Sequence, residues 1–235
     1  MFRALLLNIF FYIPVWLLKL VYLKRRTPIR GHMIDLQSSV ILDIMPKKDF
    51  TEVPDNSIQN TRDLINKKRS QYRLSLRPIS KVSKVDHEIC SKNSLALREY
   101  IPSELHSSKA ILYFHGGGYV ISSIETHDMM VSFMSDKIKT KFFSLEYRLS
   151  PENKYPNALH DALKAYNWLI SKGYSPKNIS LCGDSAGAHL ASSLVHYLAT
   201  NDIEMPHSQF LIYPMCDPSC SSESFDLMSE GYLLT

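Results

Sequence analysis

The stretch LCGDSAGAHL, Leu181–Leu190, decides the fold, because a strand-like run turns directly into a helix-like run at one serine. Gly183 and Gly187 flank Ser185 in the pattern G-x-S-x-G. A turn this sharp accepts only small neighbours, and it holds the serine side chain clear of the strand's carboxyl end. Ser185 is therefore a predicted nucleophile, and the N–H of Ala186 at the helix start offers a hydrogen bond to developing negative charge.

A second glycine motif lies seventy residues earlier, directly after a predicted strand over residues 110–114. It consists of His115, Gly116, Gly117 and Gly118. Consecutive glycines leave backbone N–H groups unshielded, which suits an oxyanion formed at an acyl carbon. A phosphate-binding loop would need a lysine followed by serine or threonine, whereas tyrosine and valine follow here. We expect His115 to position the loop rather than act as a base, because it precedes the serine in chain order.

Strand-like and helix-like patterns alternate around these two motifs. This alternation predicts a mostly parallel sheet with helices on both faces. The predicted strands cover residues 82–90, 95–101, 110–114, 141–147, 179–182 and 209–213. The predicted helices cover residues 31–45, 58–75, 124–139, 158–170 and 186–199.

Three motifs in order give the chain a family resemblance: HGGGYV (115–120), EYRLSPENKYPNALHDA (146–162) and GDSAGAHLA (183–191). SEGYLLT (229–235) is similar to a further segment. The chain resembles the hormone-sensitive-lipase family of α/β-hydrolases, which includes acetyl esterases and arylacetamide-deacetylase-like carboxylesterases. The resemblance covers about residues 80–235. It implies an α/β-hydrolase fold with a mostly parallel central sheet and an N-terminal helical lid.

The same resemblance implies hydrolysis of short-acyl or small aryl esters through an acyl-enzyme, with no cofactor and no metal. Ser185 would be the nucleophile, and the backbone amides of Gly116, Gly117 and Ala186 would form the oxyanion hole. The supporting residues would be His115, Gly118, Asp184, Gly183 and Gly187. An amidase or formamidase on the same fold stays open, because the motifs do not describe the leaving-group pocket.

The middle motif is predicted to be loop scaffolding. Arg148 and Glu152 are close enough in sequence to form an ion pair. A partly buried pair of this kind orders a loop more than it stabilises the fold.

A serine nucleophile needs a histidine base and a carboxylate that orients it, and in this fold both follow the serine. The later candidates are His189, His196, His207, Asp217 and Asp226. None of these histidines follows a late acid, so we expect a chain truncated before the last strands, with residues 209–213 as an exposed edge. The alternatives are a partner chain that supplies the missing residues, and an inactive remnant or binding module.

The chain is divided into a hydrophobic segment over residues 1–26, a helical lid over 27–80 and an incomplete hydrolase core over 81–235. Residues 1–23 are apolar on every face, near the length that spans a membrane. A lid helix and a signal peptide are the alternatives, although no small-residue cleavage site follows. Basic residues 24–26 would keep the core on the cytoplasmic side, so we expect a cytoplasmic protein or one on the cytoplasmic face of a membrane.

Charge and cysteine content exclude two other classes of protein. The net charge is +4, and residues 1–40 hold six basic groups against one acid, so the remainder is nearly neutral. That distribution gives no basic surface for nucleic acid. The four cysteines are too sparse for a disulfide scaffold, and the pair Cys216 and Cys220 lacks further ligands for zinc.

Deleting residues 1–26 tests the membrane prediction. We expect the full chain to sediment with membranes and the shortened chain to stay in the supernatant, because the deletion removes the apolar segment. The measurement is ultracentrifugation of a lysate followed by immunoblotting of both fractions. Unchanged fractionation would show that this segment is not an anchor.

Overall fold

The computed structural model describes residues 13–22, 28–44, 58–73, 82–217 and 219–232. The helices are α1 (Val15–Val21), α2 (Leu36–Ile44), α3 (Ile58–Arg73), α4 (Ile124–Ile138), α5 (Asn157–Ser171), α6 (Ala186–Thr200) and α7 (Glu223–Leu227). The strands are β1 (Val82–Cys90), β2 (Leu95–Pro102), β3 (Ala110–Phe114), β4 (Lys141–Glu146), β5 (Ile179–Asp184) and β6 (Ser208–Ile212).

The six strands form one mixed sheet in the order β1-β2-β4-β3-β5-β6. The first two strands pair antiparallel, and β2 also runs antiparallel to β4. The pairs β3–β4, β3–β5 and β5–β6 are parallel. The predicted mostly parallel arrangement is present in β3, β4, β5 and β6, and β1 and β2 make the sheet mixed.

Helices cover both faces of the sheet, because alternate residues of the central strands enter two different cores. Leu112 and Phe114 of β3 pack with α5 and α6 in the larger core. Tyr113, between them, packs with Val131 of α4 in the smaller core. Side chains that alternate across a strand produce this arrangement whenever both faces of a parallel sheet are covered.

Local capping explains where the helices begin. Asp35 accepts a hydrogen bond from the N–H of Ser38 at 2.8 Å, so α2 starts after this cap and not at residue 31 as predicted. The side chain of Ser123 accepts from the N–H of Thr126, whose hydroxyl in turn accepts from the N–H of Ser123. This reciprocal capping box begins α4 at Ile124, where the sequence placed it.

The parallel register of β3 and β5 brings the two glycine motifs together. Phe114, the last residue of β3, lies opposite Gly183 of β5. The carboxyl ends of adjacent parallel strands share one edge of the sheet, where α/β proteins place their sites. The loop after β3 and the turn after β5 therefore start side by side.

The opposite side of β5 carries β6. Among the described residues, β6 has one hydrogen-bonded neighbour, and Phe210 is 66% exposed. The exposed apolar edge expected over residues 209–213 is present in the described part of the chain.

The described residues fall into two compact units, one within 56–216 and the other within 1–55 and 217–235. The sheet and helix α3 belong to the first unit. No helix in the described ranges is long and apolar enough to cross a membrane. Residues 1–12 and 23 lie outside those ranges, so the membrane association of residues 1–23 stays a prediction, as does the three-part division.

The expected pair of Arg148 with Glu152 is wrong. Arg148 instead binds Asp161 of α5, with Nε and Nη2 each 2.8 Å from a carboxylate oxygen. The Asp161 carboxylate is fully buried and also accepts from the backbone N–H of Arg148. Glu152 binds a different arginine, Arg62 of α3. Sequence proximity failed because the buried face of α5 brings a carboxylate against the planar guanidinium.

Asp161→Asn should lower the free energy of unfolding by about 3 kcal/mol, because it leaves part of a buried ion pair uncompensated. Urea denaturation followed by circular dichroism measures this change. Asp202→Asn, at an exposed turn position, is the matched control and should change the value by less than about 0.5 kcal/mol. Equal values for the two variants would contradict a structural role for the pair.

Candidate active site

Ser185 occupies a strained turn between β5 and α6. Its φ is 52° and its ψ is −119°, in a region that residues with side chains rarely adopt. Two backbone hydrogen bonds hold it there: the Ser185 N–H donates to Ile212 O at 2.9 Å, and Ser185 O accepts from the His189 N–H at 3.1 Å. Strain of this kind persists only where surrounding contacts determine it, and it occurs at functional sites.

The flanking glycines are required by backbone contacts. A Cβ on Gly183 would lie 2.4 Å from the Gly187 carbonyl carbon, and one on Gly187 would lie 2.1 Å from Phe114 O. Neither distance is compatible with any side chain. The elbow therefore packs backbone to backbone against the end of β3, which explains both glycines of the G-x-S-x-G pattern.

The glycine loop after β3 also has a strained backbone. Gly117, Gly118 and Tyr119 have φ values of 129°, 61° and 64°. The N–H groups of Val120 and Ile121 both donate to Gly117 O at 3.0 Å and close the loop on itself. A Cβ on Gly117 would lie 2.1 Å from Ile121 O, so this position accepts only glycine.

The structure changes the set of amides available for an oxyanion. The N–H of Gly116, which was predicted for the oxyanion hole, already donates to Asp184 Oδ1 at 2.8 Å. Among the described residues, the N–H groups of Gly117 and Gly118 have no protein acceptor. Ala186 is the first residue of α6, where backbone N–H groups precede the helical ladder.

Asp184 joins the elbow to the glycine loop. Its carboxylate accepts hydrogen bonds from Gly116 N–H and from the Tyr113 hydroxyl, and it lies 3.5 Å from His127 Nε2. Burial alone would raise the pKa of Asp184, but the bonds from His127, Tyr113 and Gly116 outweigh it and lower the pKa to about 2. The carboxylate is thus charged at neutral pH. Tyr113 and His127 were not predicted, because nothing in their local sequence marks them.

His115 has the contacts of a positioning residue. It is fully buried, its Nδ1 donates to Gly116 O at 2.9 Å, and its ring stacks on Tyr147 with centroids 4.3 Å apart. The Tyr147 hydroxyl donates to His115 O at 2.6 Å. These contacts fix the start of the glycine loop.

The later histidines do not reach the Ser185 hydroxyl. His207 precedes β6, and its N–H donates to Ile179 O at the opposite end of β5 from Ser185. His189 Nδ1 bonds the Tyr119 hydroxyl at 2.6 Å. None of the chain's nine histidines, all of which lie in the described ranges, hydrogen-bonds Ser185 Oγ.

His189 and His196 line a groove of about 570 Å³ on the exposed side of α6. Its other walls come from the loop before α5 and from the end of β6. Asp217 and Asp226, the remaining candidates, belong to the other compact unit.

Glu146, at the end of β4, is a partly buried carboxyl that binds the start of α4. Burial raises its pKa to about 7, against the opposing effect of a hydrogen bond from the Ile124 N–H at 2.7 Å. Ile124 begins α4, so the carboxylate form also gains from the helix dipole. The contact ties the start of α4 to β4.

Replacement of Asp184 by asparagine should destabilise the chain in a pH-dependent way. The folded pKa of about 2 lies below the ordinary 3.8, so the carboxylate contributes about 2 kcal/mol above pH 4 and loses this as the pH falls toward 2. Urea denaturation at several pH values should show a gap between wild type and Asp184→Asn that narrows below about pH 4. Asp202→Asn is the exposed control. A gap independent of pH would contradict the assigned charge.

Comparison with known proteins agrees with this geometry. Residues 111–235, more than half of the chain, match a family described as α/β hydrolase fold. The ethyl acetate hydrolase of Pseudomonas putida is 34% identical over 150 residues, which cover 60% of this chain and 47% of that protein. The chain thus spans about half the length of the curated relatives it matches.

Solved structures give the same result. An esterase/lipase from an uncultured bacterium has a TM-score of 0.72 and 30% identity, over 83% of this chain and 62% of that one. An esterase from the bacterial hormone-sensitive lipase family has a TM-score of 0.66 and 26% identity, over 80% and 59% of the two chains. The chain belongs to the α/β-hydrolase family, in the group that resembles hormone-sensitive lipase.

Proposed function

We propose that the chain contributes the nucleophile and the oxyanion hole of a serine carboxylester hydrolase that acts on short-acyl or small aryl esters. The strained turn at Ser185 beside the glycine loop carries this proposal. Support for an ester substrate comes from the relatives, which include an ethyl acetate hydrolase and an acetyl-hydrolase of Streptomyces hygroscopicus.

In the proposed reaction, Ser185 Oγ attacks the ester carbonyl carbon and a tetrahedral intermediate forms. Its oxyanion accepts hydrogen bonds from the N–H groups of Gly117, Gly118 and Ala186. Each such donor contributes about 10²–10³ in kcat in well-studied hydrolases. Collapse of the intermediate expels the alcohol and leaves an acyl group on Ser185, which water then removes.

The hydroxyl proton must pass to a general base during the attack, and the leaving alcohol must receive one. No histidine side chain in the described ranges is hydrogen-bonded to the Ser185 hydroxyl. We therefore assign the base and its carboxylate to no described residue of this chain. An isolated chain would acylate slowly, while its oxyanion hole would still favour the tetrahedral state.

The test is hydrolysis of p-nitrophenyl acetate and butyrate by the purified chain and by Ser185→Ala. Turnover by the wild-type chain that is lost in the variant identifies Ser185 as the nucleophile. Ser171→Ala, at the exposed end of α5, is the matched control and should retain full activity. Equal rates in wild type and Ser185→Ala would contradict the proposal for this chain.

A fluorophosphonate probe adds a readout that does not need turnover, because it forms a covalent tetrahedral adduct at an activated serine. Intact-mass analysis should show one adduct on the wild type and none on Ser185→Ala. Labelling without turnover would indicate that Ser185 is nucleophilic but that a later step, such as deacylation, fails. Absence of both would favour an inactive remnant or binding module.

A further inference from the structure

One arginine of α3 holds the glycine loop from outside the sheet. Arg62 Nε donates to Val120 O at 2.7 Å, and its Nη2 donates to Ser150 O at 2.8 Å. The two terminal nitrogens also donate to the Glu152 carboxylate, each at 2.9 Å. The side chain of Arg62 is only 13% exposed. Its guanidinium therefore binds the loop that contains Val120 and the loop that contains Ser150 with little access to solvent.

These contacts close a ring of hydrogen bonds around the glycine loop. Val120 N–H donates to Gly117 O, and Ser150 N–H donates to Tyr119 O at 2.8 Å. Arg62 then joins the carbonyls of Val120 and Ser150 to each other. Displacement of Val120 would therefore also disturb Gly117.

The loop needs such support because its own backbone is strained. Positive φ values occur at Gly117, Gly118, Tyr119 and again at Ser122, where φ is 78°. Side-chain-bearing residues in such conformations cost about 1–3 kcal/mol each and persist only when other contacts fix them. Within the described residues, the carbonyl of Val120 has Arg62 as its side-chain donor.

We propose that Arg62 is a positioning residue that holds the glycine loop so that the N–H groups of Gly117 and Gly118 point to one oxyanion. The effect of Arg62 on catalysis rests on the proposed esterase function, whereas the effect of Arg62 on the loop does not. Helix α3 thus lies across the glycine loop and is bonded to it through Arg62. A second contact, 3.4 Å between Ser123 Oγ and Asn66 Oδ1, lies along the same helix.

The geometry requires arginine rather than any cation. The planar fork presents separate donors to two carbonyls and one carboxylate at once, whereas the ammonium of lysine is a compact point charge. The contacts also separate two roles. Glu152 takes part only in the ion pair, while Val120 O and Ser150 O carry the link to the loop.

The experiment compares Arg62→Lys, Arg62→Gln and Glu152→Gln with Lys177→Gln, which removes an exposed cation elsewhere. Hydrogen–deuterium exchange is measured on peptides that cover residues 115–123. The N–H groups of Val120 and Ile121, bonded to Gly117 O, should exchange about tenfold faster in both Arg62 variants, because charge-assisted bonds to the loop are lost. Glu152→Gln and Lys177→Gln should change the rate less than about twofold.

The catalytic consequence is read from the same proteins. Fluorophosphonate labelling of Ser185, and kcat for p-nitrophenyl acetate, should fall about 10²-fold in both Arg62 variants with KM nearly unchanged, because the oxyanion donors are misplaced while the substrate pocket remains. A wild type that neither labels nor turns over would refute the esterase proposal, and the exchange data would still decide the role of Arg62.

Two outcomes would overturn the proposal. Loop exchange in Arg62→Gln equal to that in Lys177→Gln would show that the loop holds itself. Wild-type exchange in Arg62→Lys, together with fast exchange in Glu152→Gln, would show that only the charge pair matters. Arg62→Lys keeps the charge, so it remains informative if Arg62→Gln fails to fold.

Discussion

The bond between the Asp184 carboxylate and the Gly116 N–H is the constraint on which the candidate site depends. The carboxylate belongs to the last residue of β5, and the N–H belongs to the loop that follows β3. The adjacent parallel register brings these ends together, but only a charged acceptor fixes the loop against the elbow. Burial opposes the charge, and the bonds from Tyr113 and His127 compensate for it.

Backbone packing holds the strained elbow in place, whereas bonds from side chains help to hold the glycine loop. Gly187 lies so close to Phe114 O that the first turn of α6 touches the end of β3. The elbow cannot relax without separating these two elements. In the glycine loop the compensating bonds come from side chains, those of Asp184 and Arg62, so the loop is the more easily altered part of the site.

Much of this arrangement could be predicted from the sequence, because strands, helices and glycine turns are local features. The hydrophobic patterns located all six strands, and the small residues around Ser185 marked the elbow. The hydrogen-bond partners of individual groups could not be predicted in this way, because they come from distant parts of the sequence. Arg148 was expected to bind Glu152 four residues away, yet Asp161 on the buried face of α5 offers a carboxylate with better geometry. Gly116 was assigned to the oxyanion hole by family resemblance, and the sequence does not show that its amide meets the Asp184 carboxylate.

The three glycines look alike in sequence but differ in what each amide contacts in the structure. The Asp184 carboxylate of β5 accepts the hydrogen bond of the first amide, and the next two amides are the donors that we propose for the oxyanion. This also explains the steric restriction at Gly116, where a Cβ would lie 2.4 Å from Asp184 Oδ2. The first glycine is needed for the close approach of Asp184.

Residues 27–80 were expected to act as one helical lid, yet α3 lies in the same compact unit as the sheet. A helix whose arginine binds Val120 O, Ser150 O and Glu152 cannot move far without releasing the glycine loop. Displacement of α3 would therefore also disturb Gly117, whose carbonyl accepts the Val120 N–H. Under the proposed function, the position of α3 and the arrangement of the oxyanion donors are then coupled through one side chain.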